Sequence, residues 1–450
     1  MSRYQSYPEY KDSGVEWLGE MPSEWSAVRL KLVANINMGQ SPNSEDCNLD
    51  GHGVAFLQGN AEFGRVNPKE KQYCPIPRKV ARAGELLFSV RAPVGALNIA
   101  DKEYGIGRGL CSICSSSYIN SSYLWWVLPS YKYQLDAIAT GSTFEAVSAE
   151  QVENLYFKLP SIVEQSQIST FLEHEITKID NLIKKQQQLI ELLKEKRQAV
   201  ISHAVTKGLN PDVPMKDSGV EWLDEIPEHW EIKRLKHFGK VIGGFAFKSS
   251  DFTEEGYPVI KISNVSHLCF EWGDSSFLPY SFSLLHKEYL APKGSLIFAM
   301  TRPVIAGGIK VTLLDNESAP LVNQRVGFMF VEQEDISGYI LISTQSSPFL
   351  AQFSNNMTIT NQPNISSEGI ESIYIPVPPR NELNEILSYI GRLTENYSDL
   401  IDKAFVQVSL LQERRTALIS AAVTGKIDVR NWVAPTSDTE VNQEPQEATA

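Results

Sequence analysis

The 450-residue sequence has little cysteine and no long apolar run. Its apolar stretch Tyr123 to Leu128 ends at Pro129, far short of the roughly 18 residues that a membrane helix needs. The N-terminus has no charged region followed by an apolar signal segment. The five cysteines are an odd and sparse set: Cys47, Cys74, Cys111, Cys114 and Cys269. These absences predict a cytoplasmic protein without a membrane segment.

The sequence also lacks the motifs of nucleotide-dependent catalysis. An adenine methyltransferase would need a glycine-rich cofactor loop and an Asn/Asp-Pro-Pro-aromatic loop for the flipped base. Gly105–Gly109 contains glycines, but it lacks the further spacing of a dinucleotide loop and no helical pattern follows, which favours a turn. A Walker lysine motif is absent as well. We therefore expect no catalytic residues and no cofactor bound by this chain.

Metal binding has one weak candidate. Cys111 and Cys114 form a Cys-x-x-Cys pair, but a structural zinc site needs a second pair of ligands and none follows at a suitable spacing. The seven histidines show no spaced cluster with carboxylates. We expect packing of the two cysteines and no metal.

The formal net charge is −13, whereas a protein that binds the phosphates of nucleic acid usually has a basic surface. Part of the acidity lies in the tail 428–450, which we expect to be disordered. In that tail Arg430 is the base among five acids: Asp428, Asp438, Glu440, Glu444 and Glu447. The charge favours a protein that works with basic partners over an autonomous, tight nucleic-acid binder.

An internal repeat is the main feature of the sequence. Lys11–Leu18 reads KDSGVEWL and returns unchanged as Lys216–Leu223, 205 positions later. The spacing grows to 218 by Leu159-Pro160 and Val377-Pro378, as small loop insertions would produce. Two copies of about 210 residues are too long and too few for a solenoid. The repeat predicts a tandem duplication.

Each half begins with a sheet-rich globule, over 1–160 and 209–378. Short strand-like runs are broken by Gly, Pro and Asn, which is typical of mixed α/β domains. One such run is Val259–Val265, and helices are predicted around Ser122–Leu128 and Gly338–Thr344. The aromatic residues Trp125 and Trp126 fit a core better than a stacking platform.

Each half ends in a long helix, predicted over 161–208 and 379–427. Ser161 with Glu164 forms a capping-box start, and apolar residues then recur at alternating spacings of four and three. The seam positions in the first helix are Leu172, Ile176, Ile179, Ile183, Ile190, Leu193 and Val200. In the second helix they are Ile390, Tyr397, Ile401, Val408, Leu411 and Leu418.

The two apolar stripes predict that the helices pair. Each buried Leu or Ile contributes about 1.5–3 kcal/mol, so pairing of the helices is favoured over leaving both apolar stripes exposed to water. Because each helix follows an equivalent globule, we expect an antiparallel pair about a pseudo-two-fold axis, with a globule at either end. Arg197 and Arg415 interrupt both seams at the same place, and we expect them to pair with acids across or beside the seam. Glu195 and Glu413 are nearby in the sequence.

This organisation resembles the specificity subunit of Type I restriction-modification enzymes. The resemblance rests on the opening block Asp12–Trp25 and its copy Asp217–Trp230, on Ser89–Gly95, on the helix entry Leu159–Gln165, and on the helix exit Lys196–Gly208. The exit returns as Arg414–Gly425. The second half departs from the first at Thr301-Arg302-Pro303 and at its helix entry, Arg380–Leu383.

The resemblance implies an α+β fold in which two target recognition domains are joined by an antiparallel coiled coil. Each domain would read one half of a split target in double-stranded DNA, and the helices would set the unread spacer between the halves. The implied partners are two methyltransferase subunits and motor-nuclease restriction subunits. S-adenosylmethionine, ATP and magnesium would be bound by those partners.

Two other interpretations stay open at this point. The chain could be an orphan or silent recognition subunit that docks on methyltransferase subunits without directing activity. It could instead be a single-chain methyltransferase or nuclease with cryptic motifs.

Residues in loops beside the predicted strands are the candidates for DNA contacts, because Arg can bond guanine in a fork while Asn and Gln can bond adenine. In the first half they are Gln58, Asn60, Arg65, Arg91 and Arg108. In the second half they are Lys261, Ser263, Asn264, Arg302, Asn323, Gln324 and Arg325.

Overall fold

The computed structural model describes residues 4–43, 46–138, 146–273, 276–305, 307–358 and 362–435. The chain divides into two compact units, the first made of Met1–Gln186 and Gln407–Ala450 and the second of Gln187–Val406. Both long helices cross this division, so each unit contains part of each helix. Within the described ranges, no helix combines the length and apolar character that crossing a bilayer requires.

The first unit opens with short strands and turns around two four-stranded sheets. Its strands are β1 Tyr10–Asp12, β2 Glu20–Pro22, β3 Ser26–Arg29, β4 Ala34–Met38, β5 Val54–Leu57, β6 Gln72–Cys74, β7 Val80–Ala81, β8 Leu86–Ser89, β9 Leu97–Ile99, β10 Tyr104–Ile106, β11 Leu110–Ser115 and β12 Tyr156–Leu159. Its shorter helices are α1 Ser121–Ser130, α2 Tyr133–Ile138 and α3 Ala149–Glu153. The long helix α4, Ile162–Lys207, follows β12.

The two larger sheets of the first unit differ in strand direction. One has the order β6-β5-β10-β7, and its parallel pair is β5 and β10, with Ile106 beside Leu57. The other has the order β4-β11-β8-β9 and is antiparallel throughout. Strand β12 pairs with β3, which returns the chain to the start of the globule just before α4 begins.

The second unit repeats this succession of elements. Its strands are β13 Met215–Asp217, β14 Glu225–Pro227, β15 Glu231–Arg234, β16 Val241–Gly243, β17 Tyr257–Ile260, β18 Phe277–Leu278, β19 Leu296–Ala299, β20 Val304–Ile305, β21 Gly308–Ile309, β22 Val311–Leu313, β23 Leu321–Val322, β24 Val326–Met329 and β25 Tyr374–Val377. Its helices are α5 Ser281–Leu285, α6 Glu334–Ser343, α7 Ser347–Asn355, α8 Ser367–Glu371 and the long α9, Arg380–Val423.

The main sheets of the second unit correspond to those of the first, although the sheet with the parallel pair has three strands, β18-β17-β23, instead of four. The antiparallel sheet β16-β24-β19-β22 corresponds to β4-β11-β8-β9. Strands β17 and β23 form the parallel pair, with Val322 beside Ile260, and β25 pairs with β15. The duplication seen in the sequence is therefore a duplication of fold, and the predicted mixed α/β class is confirmed.

The local predictions hold at α1 and α6 and fail in one strand. The predicted strand Val259–Val265 ends at Ile260, because Ile262–Asn264 forms a 3-10 turn. The Asn264 side chain accepts a hydrogen bond from the Lys261 amide (2.8 Å), so a side chain satisfies a backbone group that would otherwise extend the strand.

Each unit has a core that includes the ends of both long helices. In the first, Trp25 and Phe171 are fully buried, and Ala422 from α9 belongs to the same cluster. In the second, Trp230 and Ile201 are buried in the cluster that contains Ile386 from α9, Leu383 and Ile390. The helices are thus anchored in the globules by buried residues near their ends, some of which, such as Ile390, are also seam positions.

The predicted seam positions are the buried face of α4 and α9. Leu172, Ile176, Ile179, Ile190, Ile390, Ile401 and Leu418 are each at most 9% exposed. The remaining positions are half-buried: Ile183, Leu193, Val200, Tyr397, Val408 and Leu411. The stripe therefore follows the heptad spacing along each helix.

The helices run antiparallel within each unit. In the first, Asp180 of α4 contacts Arg415 of α9, while Gln167, which comes earlier in α4, contacts Arg430 beyond the end of α9. In the second unit, Lys194 lies over the ring of Phe405 at 5.9 Å. Lys207 shares a groove with Glu385. Contacts that lie later in α4 are made with residues that lie earlier in α9, as the predicted antiparallel pair requires.

One of the two seam arginines pairs with an acid across the seam, as predicted. Arg415 Nε lies 2.9 Å from Asp180 Oδ1, across the seam, rather than beside Glu413. Residues two apart on a helix do not face each other, which excludes Glu195 and Glu413 as partners of the arginines two positions later. The shift of 218 that relates the helices places Ser398 where the first has Asp180. Among the described residues, no ion pair forms at Arg197.

Two further predictions need correction. Ser161 Oγ accepts from the Glu164 amide (3.3 Å), but Glu164 accepts from the Tyr7 hydroxyl (2.6 Å), so the capping box is only half formed. The acidic tail begins later than 428, because Val429 is buried and Trp432 packs on Phe171. Residues 436–450 of the predicted tail lie outside the described residues.

We predict that Ser398→Asp stabilises the protein by about 0.2–1 kcal/mol, because it supplies Arg197 with the carboxylate that Asp180 supplies to Arg415. The measurement is the free energy of unfolding in denaturant at low salt. The matched control is Ser398→Asn, which has the same shape without the charge. An equal gain from Ser398→Asp in an Arg197→Leu background would show that the new carboxylate does not pair with Arg197.

Candidate nucleic-acid interface

Three loops meet at one edge of the first unit, each at the end of a strand. The Gly107 amide donates to the Leu57 carbonyl (2.8 Å), and the Val90 amide donates to the Gly109 carbonyl (3.0 Å). These backbone bonds hold together loops that are distant in sequence. We call residues 58–62, 90–95 and 107–109 the first loop edge.

Gln58 and Arg108 line a groove of about 540 Å³ on the first loop edge. Gln58 Nε2 donates to Ser41 Oγ at 2.9 Å, and the Arg108 amide donates to the same oxygen at 3.2 Å. Both side chains are exposed at their ends. The groove is therefore lined by one residue with a guanidinium and one with a carboxamide, the two groups that best read guanine and adenine edges.

The glycines beside Arg108 allow the loops to approach closely. A Cβ on Gly107 would lie 2.8 Å from Gln58 Oε1, and one on Gly109 would lie 2.6 Å from the Gln58 carbonyl oxygen. Both distances are too short for a carbon–oxygen contact. The glycine run thus has a packing role in the first loop edge.

The second unit has an equivalent edge. The Asn323 amide donates to the Ile260 carbonyl (3.0 Å), and the Met300 amide donates to the Arg325 carbonyl (2.8 Å). These bonds match those of the first unit strand for strand. We call residues 261–265, 300–303 and 323–325 the second loop edge.

Ser263, Arg302 and Arg325 come together in a groove of about 280 Å³ on the second loop edge. Arg302 has a positive φ of 46°, a backbone conformation that costs a non-glycine residue about 1–3 kcal/mol. Its amide donates to the Pro363 carbonyl at 2.7 Å, which helps to hold that conformation. The side chains of all three residues reach the surface.

The two edges carry different side chains on the same backbone framework. Arg108 in the first is matched by Gln324 in the second, and Arg91 by Thr301. The framework is repeated, whereas the hydrogen-bonding groups that it presents are not. Such a pair of surfaces suits the reading of two unlike short sequences.

Not every candidate lies in the grooves. Asn60, Arg91, Asn323 and Gln324 lie in the loop edges outside the two groups described above. Lys261 lies over the Phe252 ring at 4.5 Å.

Two candidates are occupied by intramolecular contacts. Asn264 is 2% exposed, and its amide is hydrogen-bonded to the Lys261 amide and the Glu271 carbonyl. Arg65 forms an ion pair with Asp180 of α4 (3.5 Å), apart from the groove of Gln58. The structure therefore assigns Asn264 to the turn and Arg65 to the neighbourhood of the long helix.

The structure adds groove residues that the sequence prediction omits. Ser41 and Gln72 line the first groove, and Lys310 lines the second. Ser41 could have been found from its position in a Gln-Ser-Pro turn after β4. Gln72 and Lys310 lie within or beside strands, where no local signal distinguishes them from ordinary surface residues.

The strongly shifted tyrosines belong to the cores. Burial raises the pKa of Tyr123 and of Tyr339 far above the usual value. Their hydroxyls donate to the carbonyls of Lys158 (3.0 Å) and Pro376 (2.9 Å), at equivalent places in the two units. Within the described part of the chain, no group of three or more His, Cys, Asp or Glu side chains is arranged to hold a metal ion.

Comparison with known proteins matches this chain twice to the family described as Type I restriction modification DNA specificity domain, over residues 22–192 and 227–404. The specificity subunit of the Type I restriction enzyme MjaVIII from Methanocaldococcus jannaschii is 29% identical over 91% of this chain and 95% of its own length. The EcoBI specificity subunit from Escherichia coli is 21% identical over 97% of this chain and 93% of its own.

Solved structures show the same fold. A chain from a study of complex assembly and conformational transition of the type I R-M system superposes with a TM-score of 0.70 at 15% identity, covering 90% of this chain and 99% of that one. The HsdS subunit from Thermoanaerobacter tengcongensis gives a TM-score of 0.51 at 17% identity, covering 90% and 98%.

The repeated fold and the two family matches define a duplicated recognition protein. The matched ranges cover more than half of the sequence. The chain therefore belongs to the Type I restriction modification DNA specificity domain family and carries two copies of that domain. The resemblance drawn from the sequence is confirmed.

The structure predicts that the two thiols of the Cys-x-x-Cys pair differ in reactivity. Strand β11 directs Cys111 into the core, where burial raises its pKa to about 12, whereas Cys114 is exposed. We expect iodoacetamide at pH 8 to alkylate the exposed Cys114 and Cys269 and to spare Cys111, which is buried away from the reagent and is mostly in the unreactive thiol form. Mass spectrometry of the peptides measures this, and the unfolded chain is the control. Protection of Cys114 that a chelator removes would indicate a metal site instead.

Proposed function

We propose that this chain is the DNA-specificity subunit of a Type I restriction-modification complex, in which it reads a bipartite DNA target and does no catalysis itself. The observation that carries the proposal is the pair of loop edges. Each presents exposed polar groups on one backbone framework, and the groups differ between the two units. Base contacts specify a sequence, so two unlike edges suit two unlike half-sites.

A split site also requires a fixed distance between its two halves, and the antiparallel helices suit this requirement. Helix α4 has 46 residues and α9 has 44, which at about 1.5 Å per residue gives rods of roughly 65–70 Å. Such rods would fix the number of unread base pairs between the half-sites. In this proposal the length of the seam is a determinant of the spacer.

The partners follow from the same proposal. We infer that the chain positions two methyltransferase subunits, and with them motor-nuclease restriction subunits, on double-stranded DNA in the cytoplasm. S-adenosylmethionine, ATP and magnesium would be bound by those partners. The net charge of −13 supports dependence on partners, because an acidic chain alone binds phosphates weakly.

The test is co-expression of the chain with its cognate modification subunits in a host that lacks Type I systems, followed by mapping of N6-methyladenine. We expect one split motif of two short sequences separated by a fixed spacer. Methylation without such a motif would contradict the proposal. A stable complex that leaves the DNA unmodified would favour an orphan recognition subunit. Methylation by the purified chain alone would instead favour a single-chain enzyme.

Arg108→Ala and Arg325→Ala test the loop edges separately. Each is expected to weaken binding of the assembled complex to its target by about 5- to 150-fold, as the loss of 1–3 kcal/mol of base contact requires. Each should relax the sequence of one half-site and leave the other unchanged. The exposed Arg82→Ala and Arg392→Ala are the controls. Equal loss of affinity for every DNA sequence would instead indicate phosphate contacts.

A further inference from the structure

Two of the five cysteines face each other beside the groove that Gln58 and Arg108 line. Asn48 and Tyr73 form an antiparallel bridge, in which the amide of each residue donates to the carbonyl of the other at 2.9 Å. The next residues along such a bridge lie directly opposite each other and have no backbone hydrogen bonds between them. Here they are Cys47 and Cys74. The two thiols are therefore neighbours across the bridge.

The geometry of this pair meets the requirement for a disulfide. Opposite residues of this kind have Cα atoms about 4.5 Å apart, and disulfides form across Cα separations of about 4.4–6.8 Å. Burial raises the pKa of the Cys47 thiol, and the neighbouring Cys74 thiol, which is hydrogen-bonded to it, raises that pKa further. Both cysteines are free thiols. A covalent bond between them needs no rearrangement of the fold.

The segment that carries Cys47 is held on both sides. Asp46 Oδ2 accepts from the Asn43 amide at 3.2 Å, and Asn48 Oδ1 accepts from the His52 amide at 3.1 Å. Strand β6, which carries the other thiol, is paired with β5 along its whole length. Because both segments are fixed by backbone and side-chain hydrogen bonds, the two thiols are presented to each other by the fold.

The two thiols differ in access. Cys74 is fully buried, as a small apolar side chain would be. Cys47 is half-buried, and it lines the groove of about 540 Å³ together with Gln58 and Arg108. A reagent that enters the groove meets Cys47 first. The pair thus consists of an accessible thiol and a buried thiol that can resolve the product of the first reaction.

The second unit carries apolar residues at the equivalent place. Strand β18 pairs with β17 as β6 pairs with β5, and the bridge beside it joins Thr253 to Phe277. Across this bridge Phe252 faces Leu278, and both belong to one apolar cluster. The framework therefore does not need thiols at this place. Oxidation of such a pair would act on the first unit and leave the second unchanged.

We propose that Cys47 and Cys74 form a redox-modification site, at which a small disulfide such as oxidised glutathione produces an intramolecular disulfide and so weakens reading of the target by the first unit. The effect on DNA rests on the proposed function, whereas formation of the disulfide does not. The proposal assigns regulation to one of the two grooves.

The reaction consists of two thiol–disulfide exchanges. The Cys47 thiolate, which has lost its proton to solvent, attacks one sulfur of the small disulfide, whose sulfur–sulfur bond breaks and releases one thiolate. The Cys74 thiolate, deprotonated in the same way, then attacks the Cys47 sulfur of this mixed disulfide and displaces the second thiolate. Two protein thiols are oxidised, one small disulfide is reduced to two thiols, and each released thiolate takes a proton from solvent. An excess of small thiol reverses both steps.

The new bond changes the wall of the groove. Disulfides have Cα separations most often of about 5.5–6 Å, which is about 1 Å wider than the spacing of opposite residues in an antiparallel pair. The segment that carries Cys47 therefore moves relative to β6. Gln72, which lies on β6 two residues before Cys74, lines the same groove. Because hydrogen bonds to bases depend closely on distance, a movement of this size disturbs the contacts that the groove makes.

The first experiment maps disulfides in the purified full-length chain after treatment with oxidised glutathione at pH 8. Peptide mass spectrometry without reduction should find Cys47 joined to Cys74, and dithiothreitol should restore both thiols. The exposed Cys114 and Cys269 are the controls and should carry glutathione alone. Glutathione that stays on Cys47, with no bond to Cys74, would overturn the inference.

The second experiment measures the affinity of the assembled complex for its target DNA before and after oxidation. We expect oxidation to weaken binding by the wild-type complex by about 5- to 150-fold, the range that loss of one base contact produces. Complexes with Cys74→Ala or Cys47→Ser should not respond to oxidation, whereas Cys114→Ser should respond as the wild type does. Circular dichroism checks that each variant is folded. An equal response of the Cys74→Ala complex would assign the effect to another thiol and contradict the proposal.

The proposed function and this inference fail through different observations. The absence of a split methylated motif would contradict the proposed function, and the disulfide would still be found or missed in the purified chain. A disulfide that forms and leaves the affinity for the target unchanged would overturn the inference about the groove.

Discussion

The structure depends on burial of the apolar stripe along each long helix. A helix of more than 40 residues cannot leave a continuous row of Leu and Ile in water, since each would forgo about 1.5–3 kcal/mol. In each unit the stripe of α4 faces that of α9, and the helix ends enter a globular core through Phe171 or Ile201. Within each unit, burial of the stripe therefore ties both long helices to the globular core.

The globules show how one fold can hold two surfaces under different constraints. The parallel pairs β5/β10 and β17/β23 fix where the loops emerge, and backbone hydrogen bonds fix how the loops meet. None of these bonds depends on the identity of Arg108 or Gln324. The side chains at the loop edges can therefore vary while the framework stays.

Much of this architecture could be predicted from the sequence, because period and repetition are local signals. The heptad spacing identified the buried face, and the repeat identified the duplicated globule. Specific side-chain partners could not be predicted in the same way. Asp180 is 235 residues from Arg415, and no local pattern indicates that it lies opposite. Asn264 was predicted to be available for DNA contacts, yet its side-chain amide is hydrogen-bonded within the turn that follows strand β17.

The exposed thiols allow each of the two units to be labelled with a probe. Cys114 lies in the first unit and Cys269 in the second, and both are exposed, while Cys74 and Cys111 are buried. Each unit thus carries a natural attachment point for a spectroscopic probe. With Cys47 replaced by serine, a spin label or a fluorophore on each thiol reports how far apart the units are held, and whether that separation changes when DNA binds.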